Sequence, residues 1–218
     1  MSISNCRLTD GGKYLFPEAG VPQGGVISPL LCNVALHGFE KALLSVSKRY
    51  RIAIIRYADD LVILCEDLET LLKAKREAET WLAEVGLRLK PSKIRVTHTL
   101  NEHEGNVGFD FLGFNIRQHR VGRYHTHTYR GKPGFKTLIK PSKKACQRQL
   151  EEMREVIRRH KSVPQAALVK ALNPKIRGWT QYHCVSVAKK TFDWMDAQLF
   201  HKLYRWARFR HPRKTGGW

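Results

Sequence analysis

Long hydrophobic runs are absent from this 218-residue chain. No stretch approaches the roughly 18 to 20 consecutive apolar residues that span a bilayer, and no apolar secretory leader opens the sequence. The five cysteines (Cys6, Cys32, Cys65, Cys146, Cys184) are widely separated, with no C-x-x-C pair. That spacing argues against a zinc knuckle or a disulfide framework and suits a reducing compartment. A cytoplasmic location without membrane contact is the expectation. Acidic residues are scarce in one half only. Residues 111–218 carry 25 Lys/Arg against 5 Asp/Glu, whereas residues 1–110 carry 14 of each. The formal net charge of +20 therefore resides entirely in the second half, which points to a polyanionic partner there, nucleic acid first.

Against that background one acidic pair stands out. Asp59 and Asp60 sit between two β-branched runs in Ile52-Ala-Ile-Ile-Arg-Tyr-Ala-Asp-Asp-Leu-Val-Ile-Leu-Cys65, a pattern that predicts a short hairpin with the carboxylates at its turn. Buried carboxylates need a neutralising cation, and hard oxygen ligands suit Mg²⁺. A plain solvated Asp-Asp turn is the competing reading, since turns are rich in Asp.

Upstream, Thr9 to Tyr14 carries a turn signal and reads as a hairpin. Gln23-Gly24-Gly25 forms a glycine loop that leads into a helix, with Ser28 as the expected N-cap, Pro29 at N1 and an apolar series through Phe39 and Leu43. The glycines let the backbone approach a ligand closely, or serve as no more than a flexible link. Downstream, Asp67 should cap a packing helix with the stripe Leu68, Leu71, Leu72, Ala78, Leu82 and Val85, closed by Gly86. Leu87 to Val96, which includes Lys93, turns to strand period. Phe109 to Ile116, with aromatics around Gly113, predicts a second hairpin that another backbone approaches.

From Gln118 to Lys140 the chain is basic and extended in character. His119, His125 and His127 there raise a metal reading, opposed by the neighbouring arginines and weighed against a polar RNA-facing loop. Beyond Pro141, helices are expected over 142–160, 163–172, 174–186 and 191–210, with breaks at Val163-Pro164 and Asn173-Pro174. The aromatics of the last two, among them Trp179, Tyr182, Trp194, Phe200, Tyr204 and Trp206, are assigned mainly to a helical core and not to base stacking.

Taken in order, Pro22-Gln-Gly-Gly-Val-Ile-Ser-Pro-Leu-Leu31, Arg56-Tyr-Ala-Asp-Asp60, Gly86-Leu-Arg-Leu-Lys-Pro-Ser-Lys-Ile94 and Phe111-Leu-Gly-Phe114 resemble a group II intron reverse transcriptase. The tail from Leu172-Asn-Pro-Lys-Ile-Arg-Gly-Trp-Thr-Gln-Tyr182 to Leu203-Tyr-Arg-Trp-Ala-Arg-Phe-Arg-His-Pro212 is similar to that family's maturase-specific thumb. The resemblance implies an α+β fold: part of a polymerase palm, an antiparallel sheet with packing helices, over 1–117; a basic connector over 118–140; and an all-α thumb or maturase bundle over 141–218.

The resemblance also implies roles. Asp59 and Asp60 would be catalytic carboxylates and Mg²⁺ ligands. Tyr57, Ala58, Gln23, Gly24, Gly25 and Lys93 would approach the nucleotide or template, and Phe111, Leu112, Gly113 and Phe114 would form the primer grip. Lys175, Arg177, Lys189, Lys190, Lys202, Arg205, Arg208 and Arg210 would face RNA. The implied activity is RNA-directed DNA polymerisation by a nucleotidyltransferase of a mobile element, with intron RNA splicing as the maturase role. Its partners would be group II intron RNA, an RNA template with DNA primer, and deoxynucleotide triphosphates.

One departure from the pattern matters. Palms of this kind use a further metal-binding aspartate on an upstream strand, and before Asp59 the only acidic residues are Asp10, Glu18 and Glu40, none in a matching strand. The fingers and first palm aspartate are thus expected to be missing, and the chain alone to be inactive in polymerisation unless an N-terminal companion chain supplies that aspartate. The alternative is an RNA-binding splicing cofactor with a vestigial polymerase site.

Overall fold

A computed structural model describes residues 27–49, 51–121, 128–129 and 132–213. It divides into two units, 1–95 and 96–218, and it is mixed helix and strand, with small antiparallel sheets and several helices. No helix among the described residues is long and apolar enough to cross a membrane. The Thr9–Tyr14 turn, Gln23, Gly24, Gly25, His125 and His127 lie outside the described residues.

In the first unit, α1 (Ser28–Ala35) and α2 (Phe39–Leu44) precede the hairpin of β1 (Ile52–Tyr57) and β2 (Asp60–Cys65), which is followed by α3 (Leu68–Glu84). Ser28 is the first helical residue and Ile27 the cap, one position earlier than the sequence suggested. The single helix expected through Leu43 is broken at Gly38, whose φ of 85° leaves the helical region. At the start of α3, Asp67 accepts hydrogen bonds from the Thr70 backbone N–H at 2.8 Å and from its hydroxyl at 2.7 Å. These bonds favour the charged carboxylate and hold its pKa below the usual value. At the other end Gly86 adopts φ 75°, and the Leu87 N–H bonds Leu82 O at 2.8 Å, closing the helix as expected.

The buried face of α3 differs from the predicted stripe. Thr70, Ala74, Ala78 and Leu82 point inward at four-residue spacing, while Leu68, Leu72 and Val85 are exposed. Small residues on this face let α3 lie close to Phe39 and Leu43 of α2, and Ile54, Leu61 and Ile63 of the hairpin pack on the same cluster. A longer stripe of leucines would hold the helices apart. Leu87 to Val96 is a loop with a short 3₁₀ turn at Pro91–Lys93, not a strand. Pro91 has no N–H to give a ladder, and the Lys93 N–H bonds Lys90 O locally.

In the second unit, β3 (Phe109–Phe111), β4 (Phe114–Arg120) and β7 (Phe135–Pro141) form a three-stranded antiparallel sheet in the order β3-β4-β7. Short strands β5 (Thr128–Tyr129) and β6 (Lys132–Pro133) pair with each other between β4 and β7. The register sets Phe114 opposite Pro141 and Arg120 opposite Phe135. The sequence boundaries at 117 and 140 thus fall inside β4 and β7.

Helices α4 (Lys143–Arg159), α5 (Gln165–His183) and α6 (Lys189–Arg210) follow. Their core joins Cys146, Met153 and Ile157 of α4 to Leu168 and Leu172 of α5 and Met195 of α6, with Trp179, Leu199, Leu203 and Trp206 packed around it. Each such apolar side chain contributes on the order of 1.5–3 kcal/mol when fully buried. Pro164 does mark a helix start, but Pro174 lies inside α5 without ending it. An interior proline costs about 3 kcal/mol. Leu168, Leu172, Ile176 and Trp179 form one continuous stripe on the core, and breaking the helix between them would expose half of it. The Gln149 amide, donating to Lys175 O at 3.2 Å, further ties this point of α5 to α4.

Candidate active site and nucleic-acid surface

The Asp59–Asp60 pair crowns the β1–β2 hairpin. Tyr57 pairs with Asp60, leaving Ala58 and Asp59 as a two-residue turn. Ala58 alone takes a positive φ, 54°, the pattern of a type II′ turn whose first central position favours glycine. A side chain there stores about 1–2 kcal/mol of strain. Tyr57, Ala58, Asp59 and Asp60 are all exposed, contrary to the burial that the flanking strands suggested. The hairpin buries Ile54, Leu61 and Ile63 on its inner face, so its tip projects beyond the core. Neither carboxylate has a hydrogen-bond or ion-pair partner among the described residues. The donor set is therefore free, adjacent and of hard oxygen, which fits Mg²⁺, an ion usually held by one or two carboxylates plus waters and phosphates. No cluster of three or more metal-ligating side chains occurs among the described residues.

Arg56, whose role the sequence did not reveal, fixes the tip from behind. Its guanidinium donates to Glu40 Oε1 at 2.8 Å and to Asn33 Oδ1 at 3.0 Å, joining β1 to α2 and α1. Glu40, one of the three acidic residues upstream of the pair, is thereby engaged. Lys93 is exposed at the 3₁₀ turn and makes no hydrogen bond or ion pair with Asp59 or Asp60.

The second hairpin is built differently. Leu112 and Gly113 link β3 to β4 with φ of 47° and 79°, a type I′ pattern that is costly for leucine. Neighbours from the helices hold it. The Tyr182 hydroxyl donates to Leu112 O at 2.9 Å, and the Ser142 N–H donates to Gly113 O at 2.8 Å. Phe114 stacks on Tyr182 and meets His183 edge-on, with centroids 5.2 and 4.8 Å apart. A Cβ at Gly113 would meet the side chains of Ala145 and His183 at 3.7 and 3.8 Å, ordinary van der Waals contact, so this glycine serves the positive φ of the turn and not the backbone approach that the sequence suggested. His183 is buried, with no partner for Nδ1 among the described residues, and burial, then the nearby Arg148, pushes its pKa down. These contacts could not be read from sequence because the partners lie some 70 residues apart. The pKa of His119 in β4 is likewise pushed down, by burial first and then by Arg117 and Lys140.

The basic residues fall into two groups. Arg177, Lys189, Lys190, Arg205 and Arg208 are exposed, and Lys202 is half-buried. Lys175 pairs with Glu152 at 3.1 Å. Arg210 is turned inward, donating to Lys161 O and Val163 O and lying over the Trp206 ring. Its guanidinium thus closes the α4–α5 connection.

Comparison with known proteins agrees with these features. The reverse transcriptase (RNA-dependent DNA polymerase) family matches residues 3–116, and the group II intron maturase-specific domain matches residues 146–218. Protein YkfC of Escherichia coli is 30% identical over 51% of this chain and 36% of its own length. The retron Mx65 reverse transcriptase of Myxococcus xanthus is 34% identical over 34% of this chain and 17% of its own. The retrovirus-related Pol polyprotein of the R2 element from Nasonia vitripennis is 34% identical over 41% of this chain and 9% of its own. The chain thus spans little more than a third of the length of YkfC and less of the other two.

Proposed function

Because the chain belongs to the reverse transcriptase (RNA-dependent DNA polymerase) family and carries a group II intron maturase-specific domain, we propose that it is the palm and thumb portion of an RNA-directed DNA polymerase and intron maturase. The observation that carries this reading is the exposed Asp59–Asp60 pair at the strained Ala58–Asp59 turn, its carboxylates without a partner among the described residues. Asp59 and Asp60 would hold Mg²⁺, which when bound supplies charge neutralisation for the attacking and leaving oxygens of phosphoryl transfer. The remaining work is positioning. Tyr57 presents its ring beside the primer terminus, and Ala58, with only a methyl group, leaves room there. Arg56 keeps the tip fixed through Glu40 and Asn33. The primer 3′-hydroxyl then attacks the α-phosphate in line, and pyrophosphate leaves on the opposite side.

Lys93 and Gln23-Gly24-Gly25 belong to the nucleotide and template side of this reading, and Phe111 to Phe114 to the primer side. Group II intron RNA, an RNA template with its DNA primer, and deoxynucleotide triphosphates are the partners, in the cytoplasm.

Among the described residues the site offers the metal Asp59 and Asp60, with Glu40 paired to Arg56. The chain by itself is therefore expected not to extend oligo(dT) on poly(rA), and to do so when a companion polypeptide supplies the upstream palm strand and its aspartate. Extension by the chain alone that is lost on Asp59→Ala would overturn the expected inactivity. A complemented activity that survives Asp59→Ala would overturn the assignment of the site.

The excess of 25 basic over 5 acidic residues in 111–218 favours a second reading, an RNA-binding splicing cofactor whose polymerase site is vestigial. Salt-sensitive binding to structured intron RNA, unchanged by Asp59→Ala and with no complemented extension, would select it.

A further inference from the structure

The solvent face of α6 carries a feature that neither the polymerase chemistry nor a purely electrostatic grip uses. Met195, Leu199, Leu203 and Trp206 turn one side of this helix into the core. On the opposite side Phe200 and Tyr204, one helical turn apart, are 64% and 41% exposed. Their rings lie nearly parallel, 18° between planes and 6.2 Å between centroids. Core packing does not account for two large aromatics in water. Arg208 continues this line one turn beyond Tyr204 and Arg205 lies next round the helix; both are exposed, with no carboxylate in salt-bridge distance among the described residues. The acidic residues of the helix, Asp193 and Asp196, precede this group, and none follows Asp196 to the end of the sequence.

We propose that this face is a stacking platform for unpaired RNA bases, with Phe200 and Tyr204 receiving base faces and Arg205 and Arg208 receiving the adjoining phosphates. The proposal rests on the reading that the second unit binds RNA, and it adds the class of RNA. Charge complementarity selects a polyanion over a protein surface, and the rings select among polyanions. In a duplex each base face is covered by its neighbours, and the grooves offer only edges, hydroxyls and phosphates. A single strand presents base faces to an aromatic ring, and stacking is tolerant of sequence. The platform therefore discriminates loops, bulges and strand ends from continuous helix.

The test uses the full chain and fluorescence anisotropy, with labelled oligouridine and a blunt RNA duplex of equal length as probes. Replacing both rings in the Phe200→Leu, Tyr204→Leu variant keeps helix propensity and exposed bulk, so its melting temperature serves as the check on folding. We expect it to bind oligouridine about ten- to a hundredfold more weakly, with duplex affinity and salt dependence unchanged. The Arg205→Gln, Arg208→Gln variant should weaken both probes and flatten the salt dependence. Equal losses on both probes, or none on oligouridine, would overturn the stacking role while leaving RNA binding intact. A wild type that binds only duplex also overturns it alone, whereas one that binds neither probe removes the underlying reading as well. Self-association that disappears in the leucine variant, without any change in RNA affinity, would reassign the face to a second copy of the chain.

Discussion

His183 makes the stability of the second unit depend on pH in a direction the structure fixes. The side chain is 2% exposed, ringed by Phe114, Trp179 and Tyr182 at 4.6–4.9 Å, and its Nδ1 has no partner among the described residues. Burial and Arg148 lower its pKa below the ordinary 6.5. In the unfolded chain the imidazole protonates as pH falls through about 6.5, while in the fold it protonates only at lower pH. The unfolded state then binds more protons, so stability falls as the pH is lowered. The contribution is complete above about pH 7.5 and is lost progressively below about pH 6.5, until the folded imidazole itself protonates. The limiting slope is about 1.4 kcal/mol per pH unit, which caps the loss at about 2 kcal/mol by pH 5.

His183→Phe removes both the titration and the unsatisfied nitrogen, whose burial costs on the order of 1–3 kcal/mol, at the risk of overpacking against Gly113. The sign of its effect at neutral pH is therefore not the test. Urea unfolding of wild type and variant between about pH 5 and about pH 8, followed by tryptophan fluorescence, gives two stability curves. Their difference isolates His183, because His119, whose pKa is lowered in the same direction, is common to both. Wild-type stability should fall relative to the variant below about pH 6.5. Parallel curves would refute the buried, neutral His183.

Two further perturbations test the fold. Gly108 has φ 75°, and a Cβ there would meet Ile116 O at 2.5 Å and Arg117 Cβ at 3.0 Å. Gly108→Ala should destabilise by about 2–4 kcal/mol, from backbone strain plus the forced shift of β4, read as a lower urea midpoint; an unchanged midpoint would refute the close approach. Pro174 is exposed inside a continuous α5, held there by packing against local preference. Pro174→Ala should therefore stabilise the unit by about 1–2 kcal/mol, seen as a raised melting temperature, and a drop would show that the proline itself shapes the helix.

Much of the first unit was legible in the order of residues. Alternating apolar residues around Asp59–Asp60 specified the β1–β2 hairpin, Asp67 and Gly86 bounded α3, and the uneven charge marked the basic second half. Those signals are local, and they act through backbone preference and capping within a few residues. The α3 stripe misled because apolar character alone does not say which face meets a neighbour. Ala74 and Ala78 win that face by allowing close approach, and Leu68 and Leu72 are left outside. Pro174 misled because a local rule was outweighed by one stripe of distant contacts. The pairing of β4 with β7, and the hold of Tyr182 and His183 on the Leu112–Gly113 turn, join residues too far apart for any periodicity to reveal.

By itself, then, the sequence determined the family, the acidic turn and the half of the chain that seeks a polyanion, because these depend on residue identity and short spacing. Only the tertiary structure decided which side chains remain available. It exposed Asp59 and Asp60 at a projecting tip, turned Arg210 inward and Arg205 and Arg208 outward, and left Phe200 and Tyr204 in water. The physical reason is that a helix has one side to bury, and the neighbouring helices choose which.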